Sequence, residues 1–231
     1  MQSVTVHVEG DVLVVLVNNP PVNALSWHVR QGLKDGFEQG LADPAIKAIV
    51  LRCEGQTFIA GADITEFGKP PQGPDFASVL KQMETSTKPI VAAIHGTALG
   101  GGLETAMCCH YRIAVPSAKL GVPEVKLGLL PGGGGTQRLP RLVGIEQAAV
   151  MCSLGEPISA KKAFGTGLVD ALAGENSLAE DAIRFARETI AKGPRPTRSL
   201  PVKGDLAIIE KLKAENGRKW KGFDAPYANL R

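Results

Sequence analysis

Two glutamates in this chain, Glu104 and Glu124, stand in sequence surroundings that favour acid–base chemistry. Glu104 lies within the apolar segment GLETAMCC, where a carboxylate is energetically costly unless it has a partner or a task. Glu124 directly follows Pro123, and taken alone it is more typical of a helix start, where an acidic side chain is favourable. Taken together, two carboxylates that converge on a polarised carbonyl group can hold one water molecule and exchange its protons.

Three consecutive glycines, Gly100, Gly101 and Gly102, come just before Glu104. They follow an apolar run at 89–96 that predicts a buried strand, and they precede a segment that predicts a helix. The free N–H groups at a helix N-terminus suit an anion, and glycine lets a ligand carbonyl approach the backbone closely. The glycines are therefore explained equally well as one donor of an oxyanion hole or as a tight strand–helix packing turn.

Composition and short motifs exclude several other classes of function. The net charge of +3 gives no case for nucleic-acid binding, although it does not oppose a phosphate-bearing ligand. No G-x-G-x-x-G follows the first predicted strand, and PGGGGTQR lacks the lysine of a P-loop. The four cysteines lack C-x-x-C spacing, so we expect reduced, buried thiols and no metal site. No run of 18 apolar residues or signal peptide is present, which predicts a soluble intracellular protein.

The periodicity of apolar residues predicts an α/β fold with a largely parallel sheet, because strands alternate with helices along the chain. The chain opens with a hairpin around Gly10, and Ser26 is placed to cap a helix with apolar residues every fourth position. Further predicted strands cover 46–53, 89–96 and 112–115, with a short one at GLVDAL, and further helices begin near 76, 102 and 178.

The C-terminal part has a different composition. Prolines in KGPRPTRSLPVKGD predict a boundary near residue 195, followed by a linker and charged helical tail at 196–231. The tail carries an apolar strip that needs something to cover it, formed by Leu206, Ile208, Ile209 and Leu212. We therefore expect residues 1–195 to form the core, and residues 204–222 to be mobile or to dock on chain beyond residue 231 or on a second copy.

Three segments resemble the hallmark segments of the enoyl-CoA hydratase/isomerase (crotonase) superfamily: FIAGADITEF, AAIHGTALGGGLETAMCCHYRIA and LGVPEVKLGLLPGGGGTQRLPRLVG. The resemblance covers roughly residues 1–195. Within the superfamily, these segments most resemble the N-terminal hydratase half of multifunctional fatty-acid oxidation enzymes. It implies a crotonase-like spiral of β-β-α repeats with a helical C-terminal region. It also implies that a 3-hydroxyacyl-CoA dehydrogenase domain follows in a longer parent chain, of which 1–231 would be a truncated piece.

The resemblance assigns catalytic roles to individual residues. It implies that Glu104 and Glu124 are the two catalytic glutamates. It implies that the backbone N–H groups of Ala62 and Gly101 form an oxyanion hole for the thioester oxygen, and that Gly132 lies beside the catalytic water. The implied reaction is hydration of a trans-2-enoyl-CoA to a 3-hydroxyacyl-CoA in fatty-acid β-oxidation. Two alternatives stay open: a Δ3,Δ2-enoyl-CoA isomerase that uses the same site, and a non-catalytic acyl-CoA-binding module.

The resemblance also implies how the substrate is held. Ala60, Ala62, Asp63 and Ile64 match the loop that meets coenzyme A, although Asp63 is explained equally well as a helix cap. Coenzyme A is part of the acyl-CoA substrate, so no separate cofactor is expected, and self-association is compatible with the family. The implied location is the cytoplasm for a bacterial protein or the peroxisome for a eukaryotic one.

Overall fold

A computed structural model describes residues 2–231 of the chain. Within these residues the strands are β1 (Val4–Glu9), β2 (Val12–Val17), β3 (Ala48–Cys53), β4 (Ile90–Ile94), β5 (Thr97–Leu99), β6 (Tyr111–Ala114), β7 (Lys119–Gly121), β8 (Ile158–Ser159) and β9 (Ala171–Leu172). The helices are α1 (Trp27–Ala42), α2 (Phe76–Glu84), α3 (Gly101–Cys108), α4 (Gly135–Leu154), α5 (Ala160–Thr166), α6 (Leu178–Ile190), α7 (Ala207–Asn216) and α8 (Ala225–Ala228). Short 3-10 helices cover Ile64–Glu66, Pro123–Leu127 and Thr197–Ser199.

The strands form two sheets. The larger sheet has the order β1-β2-β3-β4-β6-β9, and in it only the β1–β2 hairpin is antiparallel. The smaller sheet has the order β5-β7-β8. The predicted hairpin and the predicted parallel sheet are thus confirmed. The strands of the smaller sheet were not predicted, because segments of two or three residues are too short to show periodicity.

Helix α1 shows how the local sequence builds the scaffold. The hydroxyl oxygen of Ser26 accepts a hydrogen bond from the N–H of Val29 at 3.4 Å, which caps the helix as predicted. Val29, Leu33 and Phe37 recur every fourth residue and are fully buried. The helix therefore presents one apolar face to the core, and its first turn anchors the loop that follows β3.

The site segments meet where the two sheets lie next to each other. Strand β4 leads into β5, and β5 pairs in parallel with β7. The N–H of Leu99 donates to the carbonyl of Ile59 at 3.1 Å, and the N–H of Gly100 donates to the carbonyl of Gly121 at 2.9 Å. These bonds hold the loop after β3, the start of α3 and the segment after β7 side by side.

The C-terminal tail packs on the core rather than lying free. Leu212 is 4% exposed and forms an apolar cluster with Ala149 of α4, Trp220 and Leu230, against which Ile208 and Ile209 also pack. The expectation that this segment is mobile or docks elsewhere is therefore wrong for Leu212, whereas Ile208 and Ile209 are only half-buried. Leu206, however, is 64% exposed. The boundary near residue 195 stays a prediction.

Two further findings concern the chain as a whole. All four cysteines are free and buried, as predicted. Among the helices within residues 2–231, none combines the length and the apolar character needed to cross a membrane.

Candidate active site

Two backbone N–H groups lie at the meeting point of the loop after β3 and the start of α3. They belong to Ala62 and to Gly101, the first residue of α3. Neither donates a hydrogen bond to a backbone carbonyl within residues 2–231. Because Leu99 is bonded to Ile59, the segments that carry the two N–H groups are neighbours. Two adjacent free N–H groups can bind one ligand oxygen and stabilise negative charge that develops on it.

Glu104 lies in the first turn of α3 and is only 2% exposed. One of its oxygens, Oε1, accepts a hydrogen bond from the N–H of Gly135 at 2.7 Å. Burial raises the pKa of Glu104, while the N–H groups of Gly135 and Gly133 and the positive charge of Arg138 act in the opposite direction. The carboxylate is therefore held in one orientation by the start of α4.

Glu124 lies in the 3-10 helix Pro123–Leu127, so the helix start predicted from Pro-Glu is confirmed. Its Oε2 is buried and has no hydrogen-bond partner among the described residues. Its Oε1 faces the glycine turn, since a β-carbon on Gly100 would lie 3.1 Å from it. Burial raises the pKa of Glu124 to about 7, and the nearby charge of Glu104 adds to this effect. Glu124 can therefore either give or take a proton near neutral pH.

The two glutamates line one cavity of about 350 Å³. Its remaining wall is mostly apolar and includes Phe67, Phe76, Leu127 and Leu130. Of the predicted site residues, the cavity is lined by Ala60, Ala62, Ile64, Gly101, Glu104, Glu124 and Gly132. This lining suits an apolar ligand with a polar group that meets the free N–H groups and the carboxylates. Within residues 2–231, no cluster of His, Cys, Asp and Glu is arranged to hold a metal ion.

Asp63 lies outside this cavity and has a structural task. Its carboxylate accepts hydrogen bonds from the N–H and the hydroxyl of Thr65, at 2.9 and 2.7 Å, and so caps the 3-10 helix Ile64–Glu66. Glu66 in turn accepts from the N–H of Trp27 at 2.6 Å and pairs with Arg30 at 2.9 Å. The loop that carries Ala62 is therefore fastened to the first turn of α1.

The family model described as "Enoyl-CoA hydratase/isomerase" matches residues 7–212. The chain belongs to the enoyl-CoA hydratase/isomerase family. Its fold is crotonase-like, as in the solved enoyl-CoA hydratase of Mycobacterium tuberculosis H37Rv. The TM-score with that structure is 0.76 at 30% identity, over 100% of this chain and 88% of the other. The enoyl-CoA hydratase of Bacillus anthracis gives a TM-score of 0.75 at 32% identity, over 94% and 84%.

Some proteins with similar sequences are about as long as this chain, and others are more than three times as long. A probable enoyl-CoA hydratase of Bacillus subtilis is 42% identical over 208 residues, which are 87% of this chain and 81% of that protein. A peroxisomal bifunctional enzyme of Danio rerio is 43% identical over 96% of this chain but only 31% of its own length. A glyoxysomal fatty acid beta-oxidation multifunctional protein of Cucumis sativus is 45% identical over 78% of this chain and 26% of its own length. The chain thus spans less than a third of these multifunctional relatives.

The sequence did not predict an ion pair, shielded from most of the solvent, that lies beside the glycine loop before α4. Glu84, at the end of α2, is 2% exposed and binds Arg138 of α4 through two hydrogen bonds of 2.9 and 3.2 Å. The signal that could have found it is a glutamate in line with the buried residues Leu80 and Met83, where a charge requires a partner.

Proposed function

We propose that this protein hydrates trans-2-enoyl-CoA thioesters to 3-hydroxyacyl-CoA. The observation that carries the proposal is that two carboxylates, the buried Glu104 and the half-buried Glu124, line one apolar cavity together with Ala62 and Gly101, whose N–H groups are free. Membership of the enoyl-CoA hydratase/isomerase family supports this assignment. The reaction needs proton transfer, which requires both carboxylates, and stabilisation of the thioester oxygen, which requires the N–H groups.

In the proposed reaction the thioester oxygen accepts hydrogen bonds from the N–H groups of Ala62 and Gly101. Negative charge grows on that oxygen as water adds to carbon 3 and an enolate forms. The two donors are fixed by the contact between the loop after β3 and the start of α3, so they stabilise the charge without reorganising. Removing one such donor typically lowers a rate by ~10²–10³-fold.

We assign the proton transfers to the two glutamates. Glu104 takes one proton from the water while the water oxygen bonds to carbon 3, and Glu124 gives its proton to carbon 2. The water is thereby added across the double bond, and the proton left on Glu104 must return to Glu124 before the next turnover. The raised pKa of Glu124, about 7, supports its role as the acid. Gly132 lines the same cavity and is proposed to lie beside the water.

One observation favours an additional Δ3,Δ2-isomerase activity. That reaction moves a proton between carbons 4 and 2 and adds no water, so a single carboxylate suffices. The unpartnered Oε2 of Glu124 is free for such a transfer, whereas Glu104 is bonded to Gly135. Glu124 is therefore the proposed shuttle in this second candidate function.

Ultraviolet absorbance of two substrates tests these assignments. With crotonyl-CoA, hydration destroys the conjugated enoyl thioester and its absorbance decays. With a 3-enoyl-CoA, isomerisation creates the conjugated thioester and its absorbance rises before hydration removes it. A rise with the second substrate and no decay with the first would assign isomerase activity alone. No change with either, with retained binding of the CoA thioester, would assign a binding module.

We further propose that the reaction belongs to fatty-acid β-oxidation and that the product passes to a 3-hydroxyacyl-CoA dehydrogenase. Multifunctional relatives named for peroxisomal or glyoxysomal β-oxidation support this context. In the parent chain that we propose, the dehydrogenase would follow residue 231. Coenzyme A is proposed to contact Ala60, Ala62 and Ile64 at the cavity, with Asp63 fixing the loop from outside.

A further inference from the structure

Arg138 connects the buried Glu84 to the glycine loop before α4. Its Nη2 and Nε donate to the two oxygens of Glu84, at 2.9 and 3.2 Å. Its Nη1 donates to the carbonyl of Gly133 at 2.6 Å. The Arg138 side chain is 16% exposed and that of Glu84 is 3% exposed, so the pair is largely shielded from water. Such a bidentate, desolvated pair fixes the guanidinium in one place.

The loop held by Arg138 is the one that holds Glu104. The N–H of Gly135 donates to Oε1 of Glu104. A β-carbon on Gly133 would lie 2.7 Å from Oε2 of the same side chain, so the loop also packs against its second oxygen. A continuous chain of contacts therefore runs from Glu84 through Arg138 and residues 133–135 to the Glu104 carboxylate.

We propose that Arg138 is a positioning residue, which acts through Gly133 and Gly135 to fix the orientation of the Glu104 carboxylate. Glu84 holds Arg138 in turn. Glu84 also accepts a hydrogen bond from the N–H of Arg198 at 3.1 Å, which ties it to the 3-10 helix Thr197–Ser199. This inference rests on the proposed role of Glu104 in hydration. It gives the Glu84–Arg138 ion pair a role in catalysis, although this pair contacts neither the carboxylates in the cavity nor the free N–H groups.

Two physical effects connect Arg138 to the chemistry. Without its bond to Gly133, the loop of glycines is free to shift, and a displacement of about 1 Å at a catalytic group can cost ~10²-fold in rate. Without its charge, the ionised form of Glu104 loses a favourable interaction. A shifted loop also weakens the hydrogen bonds from Gly133 and Gly135 that favour the ionised form of Glu104. Loss of these bonds and loss of the Arg138 charge therefore both make Glu104 harder to ionise and a poorer base near neutral pH.

The variants that separate positioning from mere stability are Arg138→Gln, Arg138→Lys and Glu84→Gln. Arg138→Gln removes the charge and the fork of donors, whereas Arg138→Lys keeps the charge but loses the bidentate geometry. Glu84→Gln keeps the shape of the partner and weakens its hold on Arg138. The matched control is Arg187→Gln, because Arg187 forms an exposed pair with Asp11 at 3.0 Å, remote in sequence from the site residues.

The first readout is independent of activity. Carbon-13 NMR of protein labelled at the glutamate carboxyl groups gives the pKa of Glu104, whose signal is the one lost in Glu104→Gln. We expect Arg138→Gln to raise that pKa, Arg138→Lys and Glu84→Gln to raise it by less, and Arg187→Gln to leave it unchanged. If the Arg138 variants do not fold, the Glu84→Gln titration decides, and an unchanged pKa there overturns the inference.

The second readout is steady-state hydration of crotonyl-CoA. We expect Arg138→Gln to lower kcat by ~10–10²-fold, with KM within a few-fold of the starting protein, and Arg138→Lys to restore part of the loss. A folded Arg138→Gln variant with unchanged kcat and unchanged Glu104 pKa would overturn the inference. If the unaltered protein does not hydrate crotonyl-CoA but the Glu104 pKa still rises in Arg138→Gln, the proposed function fails and the positioning role stands.

Discussion

The Cα atom of Gly102 lies so close to the carbonyl oxygen of Ile59 that a β-carbon on this glycine would overlap the oxygen. This contact explains why the third of the three consecutive glycines has no side chain. It brings the first turn of α3 against the loop that carries Ala62, so the segments that carry the two free N–H groups are neighbours. The tight packing turn and the oxyanion donor, which the sequence left as alternatives, are therefore both compatible with the same turn.

Gly102→Ala should separate these two segments. We expect the variant to lose ~1–3 kcal/mol of unfolding free energy from overpacking, and to lose hydration by ~10²-fold or more because the paired N–H groups no longer converge. The measurements are thermal unfolding and the crotonyl-CoA assay. Gly165→Ala in α5 is the control, since a β-carbon there meets nothing within 4 Å. Normal turnover in a folded Gly102→Ala protein would contradict the link between the contact and the oxyanion site.

The long elements of the fold could be predicted from the sequence because their apolar periodicity is strong. Helix α1 is an example: Val29, Leu33 and Phe37 repeat every fourth residue, and Ser26 supplies the cap. Strands β7 and β8 could not be predicted, because they have three and two residues and owe their pairing to neighbours distant in sequence. The partial burial of the tail also depends on tertiary packing that periodicity does not show.

The sequence points to Glu104 as a candidate site residue, but it does not show which groups hold that side chain in place. Glu104 stands out because a carboxylate in an apolar segment needs a reason. The N–H of Gly135 that holds it lies 31 residues further along the chain, and the two partners Glu84 and Arg138 are 54 residues apart. Nothing local in the sequence marks such pairs, since an arginine in a polar helical stretch looks the same whether its guanidinium is exposed or buried.

Glu104→Gln and Glu124→Gln should each retain the fold and CoA-thioester binding while lowering hydration by ~10²–10⁴-fold, because each removes one proton-transfer group. Glutamine keeps the shape of the side chain, so thermal unfolding and binding serve as controls for the rate assay. Near-normal turnover in either variant would show that the assigned carboxylate has no role in the chemistry. If Glu104→Gln alone kept isomerisation of a 3-enoyl-CoA, Glu124 would be identified as the proton shuttle.

The raised pKa of Glu124 predicts a pH dependence of both rate and stability. If Glu124 is the acid, kcat should fall as pH rises above about 7, because the proton to be donated is lost. A rate that instead rises through this range would assign Glu124 as the base.

The stability effect has a definite sign. The folded protein holds this proton more tightly than the unfolded chain, whose carboxyl has the ordinary pKa of 4.5. The stabilising contribution is therefore full below pH 4.5 and is lost as pH rises to about 7. Glu124→Gln should remove this part of the pH dependence. Parallel stability curves for the two proteins, measured by denaturant unfolding between these pH values, would contradict the raised pKa.

Leu212→Asp tests how the C-terminal tail is attached. Leu212 is 4% exposed in the cluster with Ala149 of α4, so a carboxylate there costs several kcal/mol and should detach α7. Hydrogen exchange should then become faster across 207–216 and stay unchanged in β3 and β4. Leu206→Asp is the control, since Leu206 is 64% exposed and should tolerate the charge. Equal loss of protection in the tail and in the central strands would show that they unfold as one unit, and the predicted boundary near residue 195 would be wrong.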